Sequence, residues 1–223
     1  MNTLSLSSLQ RRFVADPSNI RAAIVLMSIQ DDQLHVLLRH GAHAWRLPIE
    51  RVDAEDLDAC ARQMVAKQAG TDGLFVEQLY TFGRRCPTGS GLGITVSYYA
   101  CVPWDRAPQS DAPDGTASWF SVRELPPLSG HTSQVIDTAV GRLEAKINYS
   151  TIAVHFLPDQ FTLSELQSVY EVVLRDRLDK RNFRKRILSL DIISETGELR
   201  RHGSHRPARL YRYAMPNDIH YFK

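Results

Sequence analysis

Apolar and polar positions along the chain follow two periods, the alternation of strands and the roughly 3.6-residue repeat of helices. Ile20 to Met27 is an apolar, β-branched run and Leu34 to Leu38 is another. Asp31-Asp32 between them supplies a turn, so the pair predicts a hairpin. Leu57 to Gln68 holds neither Gly nor Pro and reads as a helix. Val76 to Phe82 and Ile94 to Val102 predict strands, joined by a Gly-rich connection from Cys86 to Gly93. That connection lacks the Gly-Lys-Ser/Thr ending of a phosphate cradle and has strands on both sides, so it reads as a connector. Ala107 to Gly115 predicts a polar Pro/Asp loop, Trp119-Phe120 a short strand, and residues 1–19 a polar, Ser-rich arm. His131 to Lys146 predicts a long helix, with Val135, Ile136, Ala139, Val140, Leu143 and Ile147 at helical spacing.

The second half changes character. Thr162 is a candidate N-cap, and Glu165 three residues on completes a capping box. Leu163, Leu166, Val169, Tyr170, Val173 and Leu174 make one helical face. Arg175 to Leu178 predicts a turn, after which Asp179 caps a new helix. Successive helical residues rotate by about 100°, which gathers Phe183, Ile187 and Leu190 on an inward side. Arg181 and Lys185 fall opposite them, flanked by Arg184 and Asn182. A further turn is expected at Glu195-Thr196-Gly197-Glu198, then a basic tip, then a returning strand from Leu210 to Tyr213. A basic run alone is usually a solvated face. Here an amphipathic helix, a short turn, a basic helix and a basic hairpin follow in the order of a winged helix-turn-helix. The expected DNA-facing set is Lys180, Arg181, Asn182, Arg184 and Lys185 from the helix and Arg201, Arg206 and Arg209 from the wing.

Charge supports the division. Residues 1–150 hold 14 Lys/Arg and 16 Asp/Glu, a net of −2, whereas residues 151–223 hold 13 and 9, a net of +4. An acidic body with a basic appendage suits a polyanion partner. The apolar fraction of 43% across 223 residues provides for sizeable cores. Cys60, Cys86 and Cys101 form no metal-ligand spacing and are odd in number, which points to a reducing compartment. No secretory leader or membrane-length apolar run is visible, so a soluble cytoplasmic protein is expected.

The stretch from Trp45 to Gly70 is similar to an altered Nudix box. With the terminal glycine on Gly70, Glu55 takes the first glutamate position, and Ile49 stands where the pattern has glycine. Gln63 takes the arginine position, and Met64, Lys67 and Gln68 take the three later glutamate positions. The whole chain resembles the Nudix-related transcriptional regulators, the NrtR family, over about residues 20–215. The resemblance rests on VEQLYTFG (76–83), SWFSVRELPPL (118–128), RLEAKINYS (142–150), FTLSELQSVYE (161–171), LDKRNFRKRIL (178–188) and RPARLYRY (206–213). It implies an α+β chain: a Nudix-like α/β/α sandwich over residues 1–150, including the connecting helix, and a winged helix-turn-helix over 151–223. It also implies a homodimeric repressor on operator DNA, controlling NAD-related or sugar-metabolism genes. ADP-ribose or another nucleotide or sugar phosphate would act as effector.

Arg39, Arg46, Lys67, Tyr80 and Arg84 are the candidate effector contacts. Lys67 has two readings, a cation standing where metal once stood and a solvent-facing helix lysine. Tyr80 and Phe82 are weighed as base-stacking or core residues, and His131 as a coupling or local helix-start residue. Trp45, Trp104 and Trp119 are expected in cores or interfaces. No catalytic residue, metal or cofactor is assigned. The alternatives are a Nudix hydrolase on a nucleoside diphosphate derivative, and a constitutive DNA-binding protein that uses the Nudix-like part only to dimerise.

Overall fold

A computed structural model describes residues 20–52, 56–85, 92–107, 116–201, 207–215 and 219–222. The expected N-terminal arm, Glu55, Cys86, most of the Gly-rich connection and of the 107–115 loop, and Arg206 lie outside them. The first half is a seven-stranded mixed sheet. Strands β1 (Ile20–Gln30) and β2 (Gln33–His40) form the expected hairpin. Asp31 and Asp32 both take positive φ, 48° and 55°. That is the pairing whose twist matches flanking strands. β3 (Trp45–Arg46) borders β2, and β4 (Ile49–Arg51) pairs with the start of β1. β5 (Phe75–Arg85) and β6 (Leu92–Cys101) form the second hairpin, with β6 parallel to β1, and β7 (Ala117–Ser121) runs antiparallel to β2.

Alternation along β1 sorts the two faces of the sheet. Ala22, Ile24 and Leu26 pack with Ala61, Met64 and Val65 of helix α1 (Leu57–Ala69). Val25 and Met27 join Val135, Ile136, Ala139 and Leu143 of helix α2 (Thr132–Lys146) on the other side. Asp56 caps α1 by accepting from the Asp58 amide at 2.9 Å, and Gly70 ends it in the left-handed region at φ 67°. The result is the expected α/β/α sandwich.

The second half follows through a 3-10 turn at Ile152–Phe156. Helix α3 (Leu163–Leu174) opens on the capping box: the Thr162 amide donates to Glu165 at 2.6 Å, and the Glu165 amide donates to the Thr162 hydroxyl at 3.2 Å. Helix α4 (Lys180–Leu188) and the antiparallel pair β8 (Ile193–Arg200) and β9 (Ala208–Tyr213) complete a winged helix-turn-helix. The turn expected at residues 195–198 does not form. β8 runs through those positions, and Gly197, at φ 83°, sits within an irregularity of register between Glu195 and Leu199. Glycine made the segment look like a reversal, but a bulge uses the same conformational freedom without ending the strand.

The expected boundary at 150/151 crosses one continuous core. Ile147, Ile152, Ala153 and Phe156 pack with both the α2 face of the sheet and the buried side of α3. The C-terminal residues also return across it. Tyr221 forms a bridge with Ser150, the Phe222 amide donates to Tyr149, and the Thr151 amide donates to His220. Beneath them the buried Lys146 ammonium donates to Glu77 of β5 and to the Tyr221 hydroxyl. Burial alone lowers the Lys146 pKa, but its hydrogen bonds to Glu77 and Tyr221 outweigh burial and raise it.

His155 lies on the same seam, stacked on Phe75 at 4.8 Å, with Nε2 buried and unpartnered among the described residues. Burial pushes its pKa down to about 4. The neutral ring is therefore the form the fold prefers. Its contribution to stability is full above the ordinary histidine value of 6.5 and is lost as pH falls towards 4. A shift of that size corresponds to roughly 3 kcal/mol at most. Denaturant melts at pH 7 and pH 4 should show a loss of that order in wild type. His155→Phe should remove that part of the pH dependence.

Candidate nucleic-acid interface and effector cavity

The helix-turn-helix is set by side chains as well as by its core. Tyr170 of α3 meets Phe183 of α4 edge to face at 5.2 Å, and Phe183 and Ile187 are buried. Leu190, just beyond the helix, is half-buried against the same core. The turn between the helices is held by Glu171, which accepts from the Leu178 amide and from Gln167, each at 2.9 Å. Those bonds, the Leu178 amide first, lower the Glu171 pKa, so this support is present above the usual carboxylate range and weakens in acid. Asp179 caps α4 through the Asn182 amide at 2.8 Å.

Lys180, Arg181, Asn182, Arg184 and Lys185 are all exposed. The four cations among them have no ion-pair partner among the described residues. Such a surface costs the isolated protein stability. Lys180 and Arg181 sit in the first turn, where the helix dipole disfavours cations, and Arg181 and Lys185 are like charges four residues apart. A polyanion laid on this face relieves both penalties. Arg186 differs, because its guanidinium donates to the Asn148 carbonyl at 2.9 Å.

The wing is more internally paired than its composition implied. Arg209 donates through one Nη to both carboxylate oxygens of Glu195 at 3.0 Å, and Arg200 reaches Glu165 at 2.7 Å and the Gln160 carbonyl at 2.9 Å. Arg201 is exposed at the end of β8.

The five effector candidates disperse. Arg39 bridges α1 to the start of β7, donating to Gln68 at 3.2 Å and to Thr116 at 3.0 Å. Lys67 pairs with Glu50 at 2.8 Å. The cation at a former glutamate position is thus neutralised by a nearby carboxylate. Tyr80 is 56% exposed beside Phe82, and Arg84 is exposed near the end of β5. A register shift between Gln78 and Tyr80 interrupts the regular alternation of β5 at this point.

Arg46 alone of the five lines a cavity of about 280 Å³ on the α2 face of the sheet. Arg21, Phe82, Thr95, His131 and Thr132 line it too, and its lining residues include no carboxylate. In the sequence Arg21 is inconspicuous, the second residue of a strand that otherwise reads as core. Only the fold brings it to the N-terminal end of α2. His131, weighed between coupling and local structure, makes no side-chain cap bond and borders the cavity.

Residues 153–213 match the NrtR DNA-binding winged helix domain. The crystal structure of Shewanella oneidensis NrtR complexed with a 27mer DNA is similar at a TM-score of 0.81 and 29% identity, over 91% of this chain and 97% of that one. The ADPR responsive transcriptional repressor NtrR of Acinetobacter baylyi is 29% identical over 202 residues, 86% of this chain and 80% of that protein. A MutT/nudix family protein from Enterococcus faecalis is similar in fold, with a TM-score of 0.71 at 21% identity over 95% of this chain and 94% of that one. A Nudix-like sandwich carrying a winged helix-turn-helix with an unneutralised basic face defines a DNA-binding transcription regulator. The chain is an NrtR-like regulator: its winged helix matches that family's domain, and most of its length is similar to NrtR and to the Acinetobacter repressor.

Proposed function

We propose that this regulator is a cytoplasmic homodimeric repressor whose Nudix-like domain binds an anionic nucleotide of the ADP-ribose class and does not hydrolyse it. The observation that carries the sensing half is the acid-free cavity at the N-terminal end of α2, with Arg21 and Arg46 beside Phe82. Paired guanidinium groups suit phosphate, and an aromatic face suits a base or sugar. The ADPR responsiveness in the name of the Acinetobacter relative supports the same ligand class. At about 280 Å³ the cavity accommodates a sugar-phosphate portion, with the rest of the ligand along the open rim. The expected domain division, 1–150 for sensing and 151–223 for DNA, belongs to this proposal. So do the helix and wing residues named for DNA contact.

Donor chemistry supports the non-enzymatic reading. Of the three later glutamate positions, Met64 is buried against the sheet, Lys67 is cationic and Gln68 already accepts from Arg39. A hard divalent cation wants several anionic or neutral oxygens, so this set does not fit one. Among the described residues no helix is long and apolar enough to cross a membrane.

Arg46→Ala is expected to weaken ADP-ribose binding by about tenfold or more, the worth of a charge-assisted bond. Calorimetric titration reads it, and wild-type affinity in the variant would discard the cavity. Incubation of the wild-type chain with ADP-ribose and Mg²⁺ should leave the nucleotide intact by chromatography. Multiple turnovers to AMP and ribose phosphate would restore the hydrolase reading.

A further inference from the structure

We propose that Arg186, although it belongs to the basic run of α4, is a positioning residue that fixes the recognition helix to α2 and does not contact DNA phosphate. Three observations carry this. First, Arg186 flanks the buried stripe of Phe183 and Ile187 on the α2 side, whereas Arg181 and Lys185 stand on the far side. Second, its guanidinium is engaged by the Asn148 carbonyl at 2.9 Å, just past the end of α2, while its basic neighbours on α4 lack ion partners among the described residues. Third, α2 holds the other helix of the motif one turn earlier. Glu144 pairs at 3.3 Å with Arg175, the residue that ends α3 in the left-handed conformation at φ 55°. Glu144 and Asn148, four residues apart, therefore hold α3 and α4 respectively.

The other end of the same helix lines the cavity through Thr132 and Val135. The helix is fifteen residues long, about 22 Å at 1.5 Å per residue, with the cavity at its first turn and the clamp at and just beyond its last. Ile136, Ala139 and Leu143 bury the intervening face in the core, so α2 moves as a body. A small displacement at its cavity end is carried to the carbonyl that holds Arg186, and so to the pose of α4. The coupling half of this inference rests on the effector reading above; the positioning half stands without it.

The test is a DNA-affinity titration of the full chain across salt concentrations, comparing wild type, Arg181→Ala, Arg186→Ala and Arg186→Lys. Losing one phosphate contact lowers the slope of log K against log salt by ~0.9. Arg181→Ala should show that fall. Arg186→Ala should bind more weakly with the wild-type slope, and Arg186→Lys, which can still donate to the carbonyl, should recover affinity. A slope reduced in Arg186→Ala as in Arg181→Ala makes it a phosphate contact and overturns the proposal. Saturating ADP-ribose should then shift wild-type DNA affinity by about fivefold or more, the usual range of coupling. In Arg186→Ala that shift should largely vanish while calorimetry shows unchanged ADP-ribose binding; a retained shift overturns the coupling. If ADP-ribose does not bind wild type at all, the effector reading has failed and the salt slope alone decides the role of Arg186.

Discussion

Replacing Arg181 and Lys185 together with alanine should lower affinity for operator DNA by about two orders of magnitude or more and raise, slightly, the stability of the free protein. The two effects have one cause. Both side chains are exposed on the face of α4 opposite Phe183 and Ile187, so truncation opens no cavity. Each base-edge or phosphate bond is worth about 1–3 kcal/mol when made on DNA. In the free protein the same pair is a like-charge repulsion across one helical turn, costing a few tenths of a kcal/mol. Fluorescence anisotropy on operator DNA and thermal melts at low salt read the two quantities. A solvated face with no DNA role would give wild-type affinity, and loss of affinity through misfolding would lower the melting temperature. Only a binding helix gives the combination of weaker DNA and an equal or higher melt.

Phe183→Ala should cost about 3–5 kcal/mol, the range for deleting a buried aromatic ring. Phe183 is 5% exposed, meets Tyr170 edge to face and sits between the two helices of the motif. Removing the ring leaves α4 held by Ile187 and its caps. The loss should therefore fall on the DNA-binding half first, with operator affinity abolished before the sheet unfolds. Hydrogen exchange would show it as amides of α4 exchanging early while those of β1 and β6 stay protected. Protection of α4 equal to wild type would mean that Phe183 is not its anchor. Phe183→Leu, which keeps most of the volume, should recover most of the stability.

The fold was legible where local signals agreed with each other. The Asp31-Asp32 turn, the α1 and α2 helices, the capping box at Thr162 and the Asp179 cap all followed from short-range chemistry. Around 195–198 one signal had two meanings, since Gly197 serves a bulge as readily as a reversal. The lining of the proposed effector cavity was the least legible. Arg39 and Lys67 were named for their charge, but their partners, Gln68, Thr116 and Glu50, are distant in sequence. Arg21 went unnoticed because only β1–β4 pairing and the approach of α2 give a strand-start arginine a cavity to line. DNA recognition uses consecutive residues on one helix and can be read from periodicity. The proposed effector cavity, lined from β1, β3, β5 and α2, cannot.

The core that runs unbroken from β1 through α2 to α3 has a practical corollary for dissecting this regulator. A chain cut between residues 150 and 151 strips cover from Ile147 on one fragment and Ile152, Ala153 and Phe156 on the other, all 4% exposed or less in the whole protein. Each piece would present that fresh greasy surface to solvent and tend to aggregate. Chimaeras that graft this DNA reader onto a foreign sensor must therefore bring α2 and residues 219–222 with it, because the hinge one would wish to cut is itself part of the interior.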